Sequence, residues 1–460
     1  MSENVQPQNK MGTAKMLPLI FSMALPAMFS MMVQALYNIV DTYFVSQVSE
    51  KAMAAVSLAF PIQNLQIAFA VGTAVGVTSL ISRRLGEGRK AEAESAASHG
   101  IVLGLCTAAV FAVYGAFFTT PFFKMFESDP EIVLMGDQYI SVCCIFSFGS
   151  FVVVMLEKIL QATGNMLWPM IFQLVGALIN IALDPVFIFG YFGLPAMGVT
   201  GAAIATVGGQ IISMIFAAIV FAVRPHAISI SFKGFRPRWK TIKNIYAVGL
   251  PAIVMQAIGT VMNMAMNGIL SGFSTAAYTV FGLYFKLQSF VFMPVFGLTQ
   301  GLLPIMGFNY GARNKKRLMQ ALSQGCLIAL FIMLAGMLAF LLLPDKLLGI
   351  FNASEELLHI GVPALRTICI CFIFAALGIV SSTLFQAVGR GTYSLIVSIM
   401  RQLAVLVPSA WLLSRIFGEV NAVWWAFPVA ETVSLLVSVF FFMRLYTREI
   451  KSLDKKGAAQ

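Results

Sequence analysis

Two acidic residues stand in stretches otherwise apolar enough to cross a membrane. They are Asp41, in Gln34-Ala35-Leu36-Tyr37-Asn38-Ile39-Val40-Asp41, and Asp184, in Asn180-Ile181-Ala182-Leu183-Asp184-Pro185. A charged side chain at mid-bilayer costs at least about 2.5 to 3.5 kcal/mol on insertion scales, so each is a functional candidate by default. At helical spacing Gln34, Tyr37 and Asp41 share one face, and Asn180 lies one turn before Asp184 on its face. Pro185 removes a backbone donor and is expected to open the helix locally, exposing carbonyl oxygens. The following segment, Gly198-Val199-Thr200-Gly201-Ala202-Ala203-Ile204-Ala205-Thr206, offers the Thr206 hydroxyl and, one turn earlier, the Ala202 carbonyl. A cluster built from oxygen alone suits a hard monovalent cation, with Na+ at Asp41, Asn180, Asp184 and Thr206, or a proton shared by the two acids. The plainer alternative leaves Asp41 near the outer surface and Asp184 capping a kinked helix. The cost of two lone acids favours the functional reading.

The elements that must position these groups are membrane-spanning helices. Of 460 residues, 59% are hydrophobic and 11% charged, with a mean hydropathy of +0.87, far from the make-up of soluble domains. A spanning helix needs roughly 20 mostly apolar residues, and twelve such stretches can be counted between Leu17 and Tyr446. The first is too long, and lacks the small-residue site, for a cleaved signal peptide. A formal charge of +11 would suit nucleic acid were it not distributed by side. Twenty-two basic residues, among them Arg83, Arg84, the cluster from Arg224 to Lys243, Arg313 to Arg317, and Arg444 to Lys456, fall on the side of the amino terminus, against Lys51, Lys124, Lys346 and Arg415 opposite. By the positive-inside rule both termini are cytoplasmic. The chain reads as a multi-pass protein of the inner cell membrane, with the lipid bilayer and not nucleic acid as its partner.

Shifted by 225 residues, the sequence aligns with itself. Leu25-Pro26-Ala27 falls on Leu250-Pro251-Ala252, Asn38 on Asn263, Gly72 and Gly76 on Gly297 and Gly301, and Gln161-Ala162-x-Gly164 on Gln386-Ala387-x-Gly389. The expected division is an amino-terminal lobe (1–223), a basic linker (224–243) and a carboxy-terminal lobe (244–460), each lobe holding six spans. Six is even, so the repeats are parallel, related by a pseudo-twofold axis along the membrane normal. Transporters with that plan bind substrate between their halves. The paired glycines allow close helix approach, a weak signal for which packing is the default reading. Asp41 and Asp184 correspond to Met266 and Ser409, which implies one ion site, in the first half.

Polar residues of the second half are less sharp. Gln256, Asn263 and Asn267 share a face, and Lys286, Arg401 and Glu431 fall in later spans. Glu431 either meets a cationic substrate or pairs with Lys286 or Arg401. Glu157-Lys158 is read as an interfacial pair, and Arg366 in the same way. The six cysteines suit packing better than zinc or disulfides, and His99, His226 and His359 suit loop or interfacial roles. Twenty-six methionines suggest in aggregate a cavity tolerant of varied apolar ligands. No paired-histidine metal motif, phosphate-binding Gly-rich loop or nucleophile with a neighbouring base supports an enzyme.

The pattern resembles the multidrug and toxic compound extrusion (MATE) family, in its bacterial multidrug efflux branch. The residues that carry the likeness are Leu25-Pro26, Asn38 and Asp41, Arg84-Leu85-Gly86, Gln161-Ala162-Thr163-Gly164-Asn165, the run from Asn180-x-x-x-Asp184-Pro185 to Thr206, Gln386-Ala387-x-Gly389 and Ala430-Glu431. The resemblance implies an all-α fold of twelve transmembrane helices in two lobes that rock around a central cavity. It implies secondary active export of lipophilic organic cations, relevant to antibiotic resistance, by antiport against H+ or Na+, with no other cofactor. It also implies that Asp41, Tyr37, Asn180, Asp184, Ala202 and Thr206 couple the ion. The substrate-cavity candidates are Gln34, Gln256, Asn263, Asn267, Lys286 and Glu431, and the chain is read as a monomer. The rival is a flippase for lipid or lipid-linked oligosaccharide on a related plan, which would be expected to show a more cationic cavity. Uptake instead of export is compatible with the same residues.

Overall fold

Long apolar runs adopt helices in lipid because each backbone N–H then finds its acceptor within the segment. The computed structural model describes residues 9–351 and 353–453, so Lys455 and Lys456 of the basic tail lie outside the described residues. The long helices are α1 (Met16–Ser46), α2 (Glu50–Gly86), α3 (Lys90–Phe117), α4 (Pro130–Ile145), α5 (Phe148–Ala162), α6 (Leu167–Phe189) and α7 (Gly198–Val223). They continue with α8 (Trp239–Ser271), α9 (Thr275–Gly311), α10 (Lys315–Leu342), α11 (Glu355–Ala387), α12 (Gly391–Phe417) and α13 (Val420–Ser452). Eleven of these are each long and apolar enough to cross a membrane, and α4 with α5, bent by 46° around Phe146 and Ser147, make a twelfth span. The fourth of the twelve apolar stretches is thus a broken helix.

The 225-residue repeat is visible in the helix ends. Ser49 caps α2 by accepting from the Ala52 N–H, and Ser274 caps α9 by accepting from the Ala277 N–H. After α2, Gly88 at φ +74° turns the chain, with Gly88 N–H donating to the Leu85 carbonyl at 3.1 Å and Arg89 N–H to the Arg84 carbonyl at 2.8 Å. After α9 the same bonds run from Arg313 to Tyr310 at 3.1 Å and from Asn314 to Asn309 at 2.9 Å, but the turning residue is Arg313, at φ +55°. A side chain in the left-handed region costs about 1–2 kcal/mol, partly offset by the roughly 0.5–1 kcal/mol of extra freedom that glycine gives the unfolded chain. Arg313→Gly is therefore expected to stabilise the protein by about 0.5–1 kcal/mol. A thermal melt of the purified variant that shifts downward would contradict this.

Residue contacts divide the chain into two compact units, one of Phe29–Ile253 and one of Met1–Met28 with Val254–Gln460. The divisions fall inside α1 and α8, two residues after Pro26 and Pro251 respectively. The opening turns of α1 thus pack in the second unit and those of α8 in the first. In the second unit Gly297 of α9 lies against Met28, and Gly301 against Ala24. In the first unit the matched Gly72 and Gly76 of α2 lie against Ile253, Ile245 and Gly249 of α8.

The first unit's core has two parts. One joins Val77, Leu80 and Ile81 of α2 to Met155, Ile159 and Leu160 of α5, Phe172 of α6 and Ile245 of α8. The other gathers Phe111, Phe123, Tyr139, Cys144 and Phe151 with Val199 and Ala202. The basic segment 224–243, read from the sequence as a linker, packs within this unit. Ser229 donates through its N–H and hydroxyl to Glu94 Oε1 at 3.0 and 2.9 Å, Ser98 donates to the Ser231 carbonyl at 3.1 Å, and Arg238 N–H donates to His99 Nε2 at 2.8 Å. His99 is thus an anchor for a loop, in line with its sequence reading.

Candidate functional site

α6 and α7 place the first group of polar residues. Gly209 of α7 has no side chain where α6 passes: a Cβ there would lie 2.8 Å from the Gly176 carbonyl oxygen and 3.3 Å from the Asn180 backbone N. That closeness brings Thr206, one turn before Gly209, beside Asn180. The Asn180 amide donates to Thr206 Oγ1 at 3.3 Å and to Asp184 Oδ1 at 3.4 Å. Asp184 is fully buried and Asn180 is 3% exposed. Asp41, near the carboxy-terminal end of α1, is within Coulombic reach of Asp184, and Tyr37 within reach of both.

Three acceptor atoms of this group are unspent. Asp41 Oδ1, Asn180 Oδ1 and Asp184 Oδ2 are each buried without a hydrogen-bond partner. Buried polar atoms are almost always paired, and an orphan costs roughly 1–3 kcal/mol, more when charged. Three orphaned oxygens from neighbouring side chains, two of them carboxylate, have the donor chemistry of a site for a cation or protons.

One detail differs from the sequence reading. Pro185 does not break α6, which runs unbroken to Phe189 and is closed by Gly190 at φ +76°. What Pro185 removes is the N–H that would have met the Ile181 carbonyl one turn earlier. The Ala202 carbonyl lies inside continuous α7 and accepts the Thr206 N–H in the ordinary helical pattern. Ala202 itself is fully buried packing.

A cavity of about 160 Å³ extends from this group through the first unit. Gln34 and Tyr37 of α1, Gln173 and Asn180 of α6, Thr206 and Gln210 of α7, and Glu157 of α5 give it its polar lining. The expected interfacial Glu157-Lys158 pair is a correction. Both residues are buried, at 4% and 9% exposure, and they look in different directions because consecutive helix positions do not share a face. Glu157 Oε2 accepts from Gln173 Nε2 at 3.1 Å, and Lys158 donates to Gln161 Oε1 at 2.8 Å. Gln173 and Gln210 escaped notice because amides in apolar segments look like packing. The signal for Gln173 is its seven-residue spacing to Asn180, and for Gln210 its four-residue spacing from Thr206.

In the second unit the remaining candidates are spread. Gln256 and Lys286 are exposed, and Lys286 Nζ lies 6.0 Å from the Phe351 ring centroid. Asn263 and Asn267 are half-buried, with Asn263 Oδ1 unpartnered. Glu431 pairs with Arg401 at 3.4 Å, the second of the two alternatives its sequence position left open. Arg401 is the second residue of a π-helical segment, Met400–Leu406, in α12. Arg366, read as interfacial, is exposed and donates to the Leu341 carbonyl at 3.3 Å. All six cysteines are free, and among the described residues no three His, Cys, Asp or Glu side chains form a metal cluster.

One family model, MatE, matches residues 26–186 and again residues 251–412, two copies set 225 residues apart at their starts. The chain belongs to the MatE family. Among curated relatives, the multidrug export protein MepA of Staphylococcus aureus strain MSSA476 is 23% identical over 415 residues, 90% of each chain. MepA of Staphylococcus haemolyticus is 25% identical over 413 residues, again 90% of each. Among solved structures, a transporter of the MOP superfamily from Pyrococcus furiosus, described as having a binding pocket of reversed polarity that suggests a different function, superposes with TM-score 0.90 at 26% identity, covering 97% of this chain and 99% of that one. A multidrug resistance MATE transporter in an outward-facing conformation gives TM-score 0.88 at 27% identity, covering 96% and 99%. As a MatE protein the chain is a multi-pass membrane transporter and not an enzyme.

Proposed function

We propose that the protein is a secondary active exporter that moves lipophilic organic cations outward in exchange for H+ or Na+, by alternating access. It acts as a monomer in the cytoplasmic membrane with both termini inside. The observation that carries the reading is the set of three buried, unpartnered oxygens of Asp41, Asn180 and Asp184. A cation or proton supplies the missing partner and removes the cost of the orphaned charges. Because an ion shifts a conformational equilibrium only through different affinity for the two states, this site drives export if it binds the ion better in one state than in the other.

The test uses vesicles loaded with a fluorescent lipophilic cation, under an imposed pH gradient and then a sodium gradient. One of the two gradients is expected to drive transport by the native protein. Asp41→Asn is expected to reduce that transport at least about tenfold, with the variant still folded. Full activity of Asp41→Asn under both gradients would remove Asp41 from the coupling site.

A further inference from the structure

The cavity is lined by an acid, Glu157, that the coupling site does not use. Glu157 is more than nine-tenths buried, has Gln173 as its hydrogen-bond partner at 3.1 Å, and lines the cavity that Tyr37, Asn180 and Thr206 also line. Gln173 and Asn180 lie seven residues apart on α6. That is two turns, about 10 Å along one face. Between them on that face come Gly176 and Ala177, both cavity-lining and both too small to fill the space. The groups that face this space are Tyr37 from α1, Gln173 from α6, and Gln210 and Ser213 from α7. Lys158 follows Glu157 on α5 but turns to Gln161, and α2 contributes the Thr78 hydroxyl, which donates to the Lys158 carbonyl at 3.3 Å.

A buried carboxylate whose hydrogen-bond partner is a neutral amide, with the Lys158 cation within Coulombic reach but bonded to Gln161, is a costly arrangement for packing alone. The amide suits a carboxyl that changes state. Gln173 Nε2 donates to the carboxylate, while Gln173 Oε1 is buried without a partner and can accept from a protonated carboxyl after rotation of the amide. Glu157 also lies near the end of α5 that the proposed topology places on the cytoplasmic side.

We infer that Glu157 is an inner acidic station for the coupling cation, which passes from Asp41 and Asp184 through the cavity to Glu157 and then to the cytoplasm. If the ion is a proton, it leaves the Asp184 carboxyl, adds to the Glu157 carboxylate and departs to water, so that each acid returns to its charged form. If it is Na+, the same carboxylate binds it in transit. The inference rests on the coupling reading above.

The test compares Glu157→Gln, Glu157→Asp and Asp184→Asn in proteoliposomes, measuring gradient-driven efflux and gradient-free exchange of labelled for unlabelled drug. Glu157→Gln is expected to slow driven efflux at least about tenfold while exchange stays within about twofold of native, and Glu157→Asp is expected to restore most of the driven rate. Loss of driven efflux and exchange together, without rescue by Asp, would mean a structural role and overturn the inference. Native driven efflux in Glu157→Gln beside an inactive Asp184→Asn would also overturn it, leaving the coupling reading intact. Driven efflux that survives Asp184→Asn would instead bring down the coupling reading and this inference with it.

Discussion

Asp184→Asn is expected to lose ion-driven efflux by about a hundredfold or more while melting at the native temperature or above it. Removing one charge from a buried, paired set costs roughly 3–5 kcal/mol of the interaction, and each 1.4 kcal/mol is a factor of ten in binding. Two carboxylates share the site, so losing one halves the charge that holds the ion. Stability moves the other way. The Asn180 amide that donates to Asp184 Oδ1 finds an equivalent oxygen on asparagine, and the buried, unpartnered anion at Oδ2 is replaced by a neutral group that costs less to bury. Melting curves of the purified variant and vesicle efflux under both gradients check the two halves of the expectation. A variant that transports like the native protein would sink the coupling role of Asp184.

The parts of this site that were legible in the sequence share one property: each breaks the local composition. An aspartate in an apolar run is conspicuous, so Asp41 and Asp184 stood out, and helical spacing then led to Asn180 and Thr206. Glu157 broke the composition equally but was misread. Its neighbour Lys158 suggests an interfacial pair, whereas both are buried; the two charges remain within Coulombic reach, but adjacent helix residues point about 100° apart and each forms its hydrogen bond to a different amide. The twelve spans and the repeat were legible because hydropathy and a fixed register persist over long distances. The bend between α4 and α5 was not, since Phe146 and Ser147 carry neither proline nor glycine to announce it.

The repeat also explains why only one half carries the acid group. At the 225-residue offset, Thr206 corresponds to Glu431 and Gly176 to Arg401. The first repeat lines a cavity with Thr206 and Gly176, and the second puts a bonded Arg401–Glu431 ion pair at those positions. Glu157 and Asp184 meanwhile correspond to Ser382 and Ser409. Duplication supplied one scaffold, and substitution of a few side chains left open acceptors in one copy and a self-neutralised pair in the other. A spacing argument finds both sets of positions, but only coordinates show that Glu431 has spent its charge on Arg401.

The assignment of the opening turns of α1 and α8 to opposite units was invisible in sequence because each helix runs on without a break through Pro26 or Pro251. Gly76→Val tests what holds those turns. A Cβ at Gly76 would lie 2.2 Å from the Ile245 carbonyl oxygen and 3.0 Å from the Gly249 backbone N, and one at Gly72 would lie 2.7 Å from the Ile253 N. These neighbours are backbone, so no rotamer change relieves the clash, and α8 must move away from α2. Overpacking ordinarily costs about 1–3 kcal/mol, and a rigid backbone neighbour puts Gly76→Val at the top of that range or beyond. The expected result is loss of most folded protein on size-exclusion chromatography. By the repeat, Gly297→Val meets the Met28 Cα at 2.6 Å and is expected to behave alike in the second unit. Gly268→Ala, in the same helix α8 but with nothing within 4 Å of its Cβ, is expected to be neutral or to stabilise by up to about 1 kcal/mol. If Gly76→Val and Gly268→Ala melted together, close approach at the matched glycines would not be what seats these helices.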